Sequence, residues 1–90
     1  MSHPNDNERQ GMNRISERGP AIAAELGLSL KRCAWGQTDA DFYADRWSLV
    51  LKTEHAREVL KFDADALADP KQWEVLELIV RRELEKMQRA

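Results

Sequence analysis

Apolar and small residues follow a helical spacing through the first third of the chain. They recur at alternating steps of three and four residues: Met12, Ile15, Gly19, Ile22 and Leu26. This spacing predicts an amphipathic helix that begins at Glu8. Pro20 either kinks this helix or begins a second one, and Gly27 is expected to end it. Residues 1–7 are polar and offer nothing to bury, so we expect a disordered N-terminus.

The middle of the chain changes to the two-residue period of strands. Residues 28–35 form an imperfectly alternating first strand, followed by a polar connection over residues 36–45. Residues 47–53 alternate more clearly, with Trp47, Leu49 and Leu51 on one side. A short hairpin connection at residues 54–56 leads to a third strand over residues 57–62. We interpret Arg57 as an ordinary charged residue of this hairpin.

The C-terminal segment returns to a helical period. Asp69 is the predicted N-cap and Pro70 the first helical residue. The apolar stripe that follows comprises Trp73, Leu76, Ile79, Val80, Leu84 and Met87. Leu78 falls on the polar side of the same helix and is expected to be exposed.

These elements predict an α+β fold with the order α-β-β-β-α. Because the connections are short, we expect a three-stranded antiparallel meander packed on one face by two helices. Residues 8–90 then form a single domain. The same order of elements occurs in the double-stranded-RNA-binding domain, which is a likeness of topology only and carries no function by itself.

Composition narrows the classes of function. The 90 residues carry a formal net charge of −2, which favours neither a protein that coats nucleic acid nor a strongly acidic mimic. Cys33 is the single cysteine, so no intramolecular disulfide is expected, and a reducing, cytoplasmic location is predicted. No apolar run approaches the roughly 20 residues of a membrane span, so no membrane association is predicted. The polar N-terminus does not resemble a signal peptide.

Residue types for catalysis and metal binding are scarce. Cys33 has only His55 as a plausible base, and we interpret it as a half-buried structural cysteine. One cysteine and two histidines do not supply a zinc site. The sequence therefore predicts no catalytic residue, no metal and no cofactor.

Six aspartates lie in the first connection and in the segment after the third strand, which a meander brings to the same end of the sheet. We call them the acidic pole: Asp39, Asp41, Asp45, Asp63, Asp65 and Asp69. The main interpretation is that they cap turns and helices and increase solubility. A docking surface for a basic partner is a second interpretation. A Ca²⁺ or Mg²⁺ site is a third, but the calcium-loop glycine and glutamate are missing.

The sheet face away from the helices is the predicted binding surface. Strand parity assigns to it Trp35, Val50, Val59, Lys52 and Lys61, together with Cys33 and Lys31. Tryptophan beside valines with a lysine rim is typical of a protein-docking patch. Since the alternation of the first strand slips after Arg32, the alternative is that Trp35 turns inward and belongs to the core.

The function predicted from these features is that of a small cytosolic protein-interaction module without catalytic activity. Its partner is another protein or a second copy, forming a homodimer through the uncovered sheet face. The alternative is an accessory domain that binds or mimics nucleic acid. Direct nucleic-acid binding is disfavoured because Lys71 is the single cation at the start of the last helix and follows three aspartates.

Overall fold

The computed structural model describes residues 3–89 and confirms the α+β class. Its elements in chain order are α1 (Asp6–Glu25), β1 (Arg32–Gly36), α2 (Asp39–Tyr43), β2 (Arg46–Lys52), β3 (Arg57–Asp63), α3 (Ala64–Ala68) and α4 (Trp73–Arg89), with a 3₁₀ turn at Pro70–Gln72 before α4. The short helices α2 and α3 occupy the two segments that carry the acidic pole. No helix within residues 3–89 is both long and apolar enough to cross a membrane.

The first helix runs unbroken past Pro20. Asn5 caps it by accepting a hydrogen bond from the Glu8 amide at 2.8 Å. Pro20 lies inside α1 on its exposed side, where the missing backbone donor does not disturb the core. Gly27 follows the helix with φ 74°, a conformation that glycine adopts without steric cost. The helix begins within the segment predicted to be disordered, of which residues 1–2 lie outside the described part.

The three strands form an antiparallel sheet in the order β1-β2-β3, as predicted. In its centre Leu49 of β2 pairs with Trp35 of β1 and with Leu60 of β3. The first strand is shorter than predicted because Leu28 and Leu30, before its start, pack against the core from the connection.

Both long helices cover the same face of the sheet. The core between these layers is made of Met12, Ile15, Ile22, Ala23, Trp47, Leu49, Leu51, Phe62, Ala64, Leu67, Leu76, Val80, Leu84 and Met87. These residues come from α1, β2, β3, α3 and α4, so the core joins every long element. The apolar surface removed from water in this layer is the main source of stability.

The apolar stripe predicted for the last helix packs against the core, with one exception. Asp69 accepts a hydrogen bond from the Lys71 amide at 3.0 Å, which starts the 3₁₀ turn, and α4 begins at Trp73. Ile79 was expected in the core but is 40% exposed, because it lies on the edge of the stripe. Leu78 is 57% exposed, as predicted.

Candidate functional site

Trp35 lies on the helix-covered side of the sheet, so its predicted place on the uncovered face is wrong. Its partner across the strands, Leu49, is fully buried. The indole Nε1 donates to the Met12 carbonyl oxygen at 3.1 Å and to Ser16 Oγ at 2.7 Å. The ring meets Phe62 edge to face, with centroids 5.7 Å apart. The alternative interpretation, that Trp35 turns inward, describes the structure.

The uncovered face is therefore built from the other strand positions. The register arranges them in three rows across the sheet, namely Arg32–Lys52–Arg57, Ala34–Val50–Val59 and Gly36–Ser48–Lys61. Val50, Val59, Lys52 and Lys61 lie on this face as predicted. Cys33 does not, because it pairs with the fully buried Leu51.

The first of these rows, which we call the basic row, consists of Arg32, Lys52 and Arg57. All three side chains are exposed. None of them forms an ion pair with a carboxylate within residues 3–89. Like charges directly opposite each other in a sheet are destabilising. An anionic group placed over the row would relieve this repulsion.

The row beside it is apolar and consists of Ala34, Val50 and Val59. Val59 is 37% exposed, and the other two side chains are half-buried. A row of small apolar side chains next to three cations can bury methyl groups of a ligand whose charged groups meet the basic row. Arg32 and Arg57 were not predicted as binding residues, because only the strand register reveals that they flank Lys52.

The opposite end of the uncovered face is closed by α2 through Asp41. This carboxylate is fully buried and accepts hydrogen bonds from Ser48 Oγ at 2.5 Å, Arg46 Nε at 2.8 Å and Lys61 Nζ at 3.0 Å. Thr38 and Asp41 also form a reciprocal capping box at the start of α2. Asp41 thus holds α2 against β2 and β3.

The charge of Asp41 is stabilised by this arrangement. Burial of the carboxyl raises its pKa, but the hydrogen bonds from Ser48, Arg46, the Thr38 amide and Lys61 outweigh burial and hold the pKa well below its usual range. Lys61 consequently has an internal ion partner, which it shares with Arg46. The sequence predicts Lys61 at the rim of the binding patch, whereas its ammonium group anchors α2.

The six aspartates of the acidic pole do not all lie together in the structure. The first connection and the exit of the third strand lie at the same end of the sheet, as predicted, since the Ala64 amide donates to the Asp45 carbonyl oxygen at 3.0 Å. Four of the aspartates line one shallow concavity of about 390 Å³: Asp45, Asp63, Asp65 and Asp69. Asp39 lies in the first turn of α2, beside a different groove, and Asp41 is buried.

Three of the six aspartates have structural roles that need no ligand. Asp69 caps the 3₁₀ turn and Asp41 anchors α2. Asp45 adopts φ 54°, a conformation that aspartate tolerates better than most residues. Within residues 3–89, no group of three or more His, Cys, Asp or Glu is arranged to hold a metal ion.

Cys33 and His55 occupy different environments. Cys33 is half-buried under α1, where a methyl group at Gly19 would lie 3.1 Å from its Sγ atom. Burial raises the pKa of the thiol, so the protonated form predominates at neutral pH. His55 is exposed in the hairpin, where its amide donates to Thr53 Oγ1 at 3.4 Å.

Comparison of the chain with protein-family models, curated proteins and solved structures found no match.

Proposed function

We propose that this chain is a cytoplasmic, non-catalytic interaction module whose uncovered sheet face binds an acidic segment of a partner protein. The observation that supports the proposal is the basic row, in which Arg32, Lys52 and Arg57 lie side by side without an internal ion partner among the described residues. The adjacent apolar row supplies a surface for aliphatic side chains of the same segment. A segment in which acidic and aliphatic residues alternate would place its carboxylates on the basic row and its methyl groups on the apolar row.

A protein partner fits this face better than nucleic acid. Neighbouring strands lie about 4.8 Å apart, so the basic row spans roughly 10 Å, enough for a few carboxylates rather than a long phosphate backbone. The uncovered positions of the three strands carry no aromatic side chain on which a base could stack.

A second copy bound face to face is a weaker fit than an acidic partner. Both surfaces would contribute the same three cations, and their repulsion would oppose close contact. Pairing of two copies through the uncovered face stays a prediction, which is tested by the oligomeric state of the protein and not by peptide binding.

The proposal is tested with a fluorescent peptide in which glutamate and valine alternate, followed by fluorescence anisotropy. Lys52→Glu should weaken binding at least about tenfold, since it converts the centre of the basic row into an anion. Arg9→Glu is the matched control, because it makes the same charge change at an exposed position of α1 and should leave affinity unchanged.

The dependence on salt provides a second measurement. Binding should weaken as ionic strength rises, because the attraction between exposed charges is screened. Equal affinity of the wild type and Lys52→Glu for the acidic peptide would overturn the proposal. Binding of single-stranded oligonucleotides that Lys52→Glu abolishes, with no binding of the peptide, would favour the nucleic-acid alternative.

A further inference from the structure

The side of α4 that faces away from the core carries three exposed apolar residues, one of which, Leu78, borders a groove between α4 and α1. Val75 is 50% exposed, Leu78 57% and Ile79 40%. These are three of the six large hydrophobic residues that are exposed in the described part of the chain. Leu78 lies on the side of α4 opposite Leu76 and Val80, which face the core, and Val75 and Ile79 lie between these two sides.

Charged residues are placed symmetrically around Leu78 on this side. Glu74 precedes Leu78 by four residues and Arg82 follows it by four. Lys71 precedes Leu78 by seven residues and Glu85 follows it by seven. Within α4 these spacings are about one and two helical turns, so Glu74, Arg82 and Glu85 share the outward side with Leu78. Lys71 lies in the 3₁₀ turn that leads directly into α4. None of the four forms an ion pair within residues 3–89.

We propose that two copies of this chain pair through α4, antiparallel, about a two-fold axis that passes at Leu78. A two-fold axis across antiparallel helices places each position before the axis opposite the position equally far after it. Glu74 then meets the partner's Arg82, and Lys71 meets the partner's Glu85. Each of these contacts occurs twice, and the two Leu78 side chains meet at the axis with Val75 beside them.

The charge pattern favours a second copy of the chain as the partner and the antiparallel orientation of the two α4 helices. A parallel pairing in register would place Glu74 against Glu74 and Arg82 against Arg82, which is repulsive at each position. The antiparallel pairing converts the same residues into four favourable contacts around an apolar centre. Since α4 covers the other side of the sheet, the dimer leaves the basic row free, and the proposal is independent of the proposed function.

Sedimentation velocity over a range of concentrations tests the pairing. The wild type should move from the monomer mass of 10.4 kDa toward twice that value as concentration rises. Leu78→Asp should stay monomeric at every concentration, because the two new carboxylates would meet at the axis. Val59→Asp is the matched control: it places the same charge at an exposed apolar position of the uncovered face and should dimerise as the wild type does.

Charge reversal then tests the orientation. Glu74→Arg and Arg82→Glu should each weaken dimerisation at least about fivefold, because each places like charges together at two symmetric contacts. The double variant, with both substitutions, should recover most of the wild-type affinity. Circular dichroism should show that all variants keep the helical content of the wild type.

A wild type that stays monomeric up to millimolar concentration would overturn the proposal. Loss of the dimer in Val59→Asp with its retention in Leu78→Asp would assign the pairing to the uncovered sheet face instead. A double variant as weak as the single ones would overturn the antiparallel orientation.

Discussion

Gly11 of α1 lies directly against the backbone of Leu67 in α3. A Cβ atom at position 11 would overlap the Leu67 carbonyl group, whose carbon would be 2.8 Å away. The same Leu67 carbonyl oxygen accepts a hydrogen bond from Trp73 Nε1 at 2.9 Å. Because the carbonyl is held by α4, it cannot retreat without loss of that bond. The absence of a side chain at position 11 therefore allows α1, α3 and α4 to meet.

Substitution of Gly11 by alanine should destabilise the fold by about 1–3 kcal/mol, as overpacking in a core does. Alanine favours a helix over glycine by about 1 kcal/mol, so an unobstructed site would show stabilisation instead. Urea denaturation followed by tryptophan fluorescence measures the difference. Gly19→Ala in the same helix is the control, with a smaller loss expected, since its new methyl group meets only the Cys33 side chain at 3.1 Å. An unchanged or increased stability of Gly11→Ala would contradict this account.

The long elements were predictable because their periodic patterns extend over several turns or residues. The stripes of α1 and α4 and the alternation of β2 and β3 each identify a buried side. The helices α2 and α3 have only five residues each, too few for a period to be visible. The capping box of Thr38 and Asp41 is a local signal for the start of α2. The contact of Asp41 with Lys61, which also stabilises α2, lies too far along the chain for a local pattern to contain it.

Trp35→Ala should now unfold or strongly destabilise the protein, by about 3–5 kcal/mol, because it leaves a cavity between sheet and helices. Trp35→Phe keeps a ring near Phe62 but removes the N–H that Met12 and Ser16 accept. Its expected cost is smaller, about 1–3 kcal/mol, from the unsatisfied acceptors and lost volume. Both variants are compared with the wild type by urea denaturation. If Trp35→Ala kept wild-type stability, the inward position of Trp35 would be wrong.

The uncovered face was predicted in part, and the errors have physical causes. Lys52, Val50 and Val59 follow from the parity of β2 and β3. The parity of β1 is set by pairing with β2, which turns Trp35 inward and Arg32 outward. Lys61 lies on the correct face, but its ammonium group is paired with Asp41, twenty residues away in the sequence.

Cys33 should react slowly with a thiol reagent in the folded state. Its half-buried position under α1 limits access, and burial raises the thiol pKa, which lowers the thiolate fraction. Labelling with a disulfide reagent at neutral pH should accelerate strongly when urea unfolds the chain. His55→Ala should leave the labelling rate of the folded protein unchanged, whereas a marked decrease would indicate that His55 activates the thiol.

Asp41 should make stability depend on pH in the acid range. Its pKa is held well below the value of 3.8 that an unperturbed aspartate has, so the folded state binds the proton less readily than the unfolded state does. The contribution of this carboxylate is therefore complete above about pH 5 and is lost progressively as the pH falls below about 4. Asp41→Asn should be less stable at pH 7 by about 1–3 kcal/mol, since it removes charged hydrogen-bond acceptors.

The same variant should lose less stability than the wild type between pH 5 and pH 2, because asparagine does not titrate there. Urea denaturation at several pH values measures both effects. Asp39→Asn, an exposed position in the same short helix, is the control and should remain close to the wild type throughout. Equal acid sensitivity of the wild type and Asp41→Asn would show that other carboxylates govern the transition, and the anchoring role of Asp41 would then be excluded.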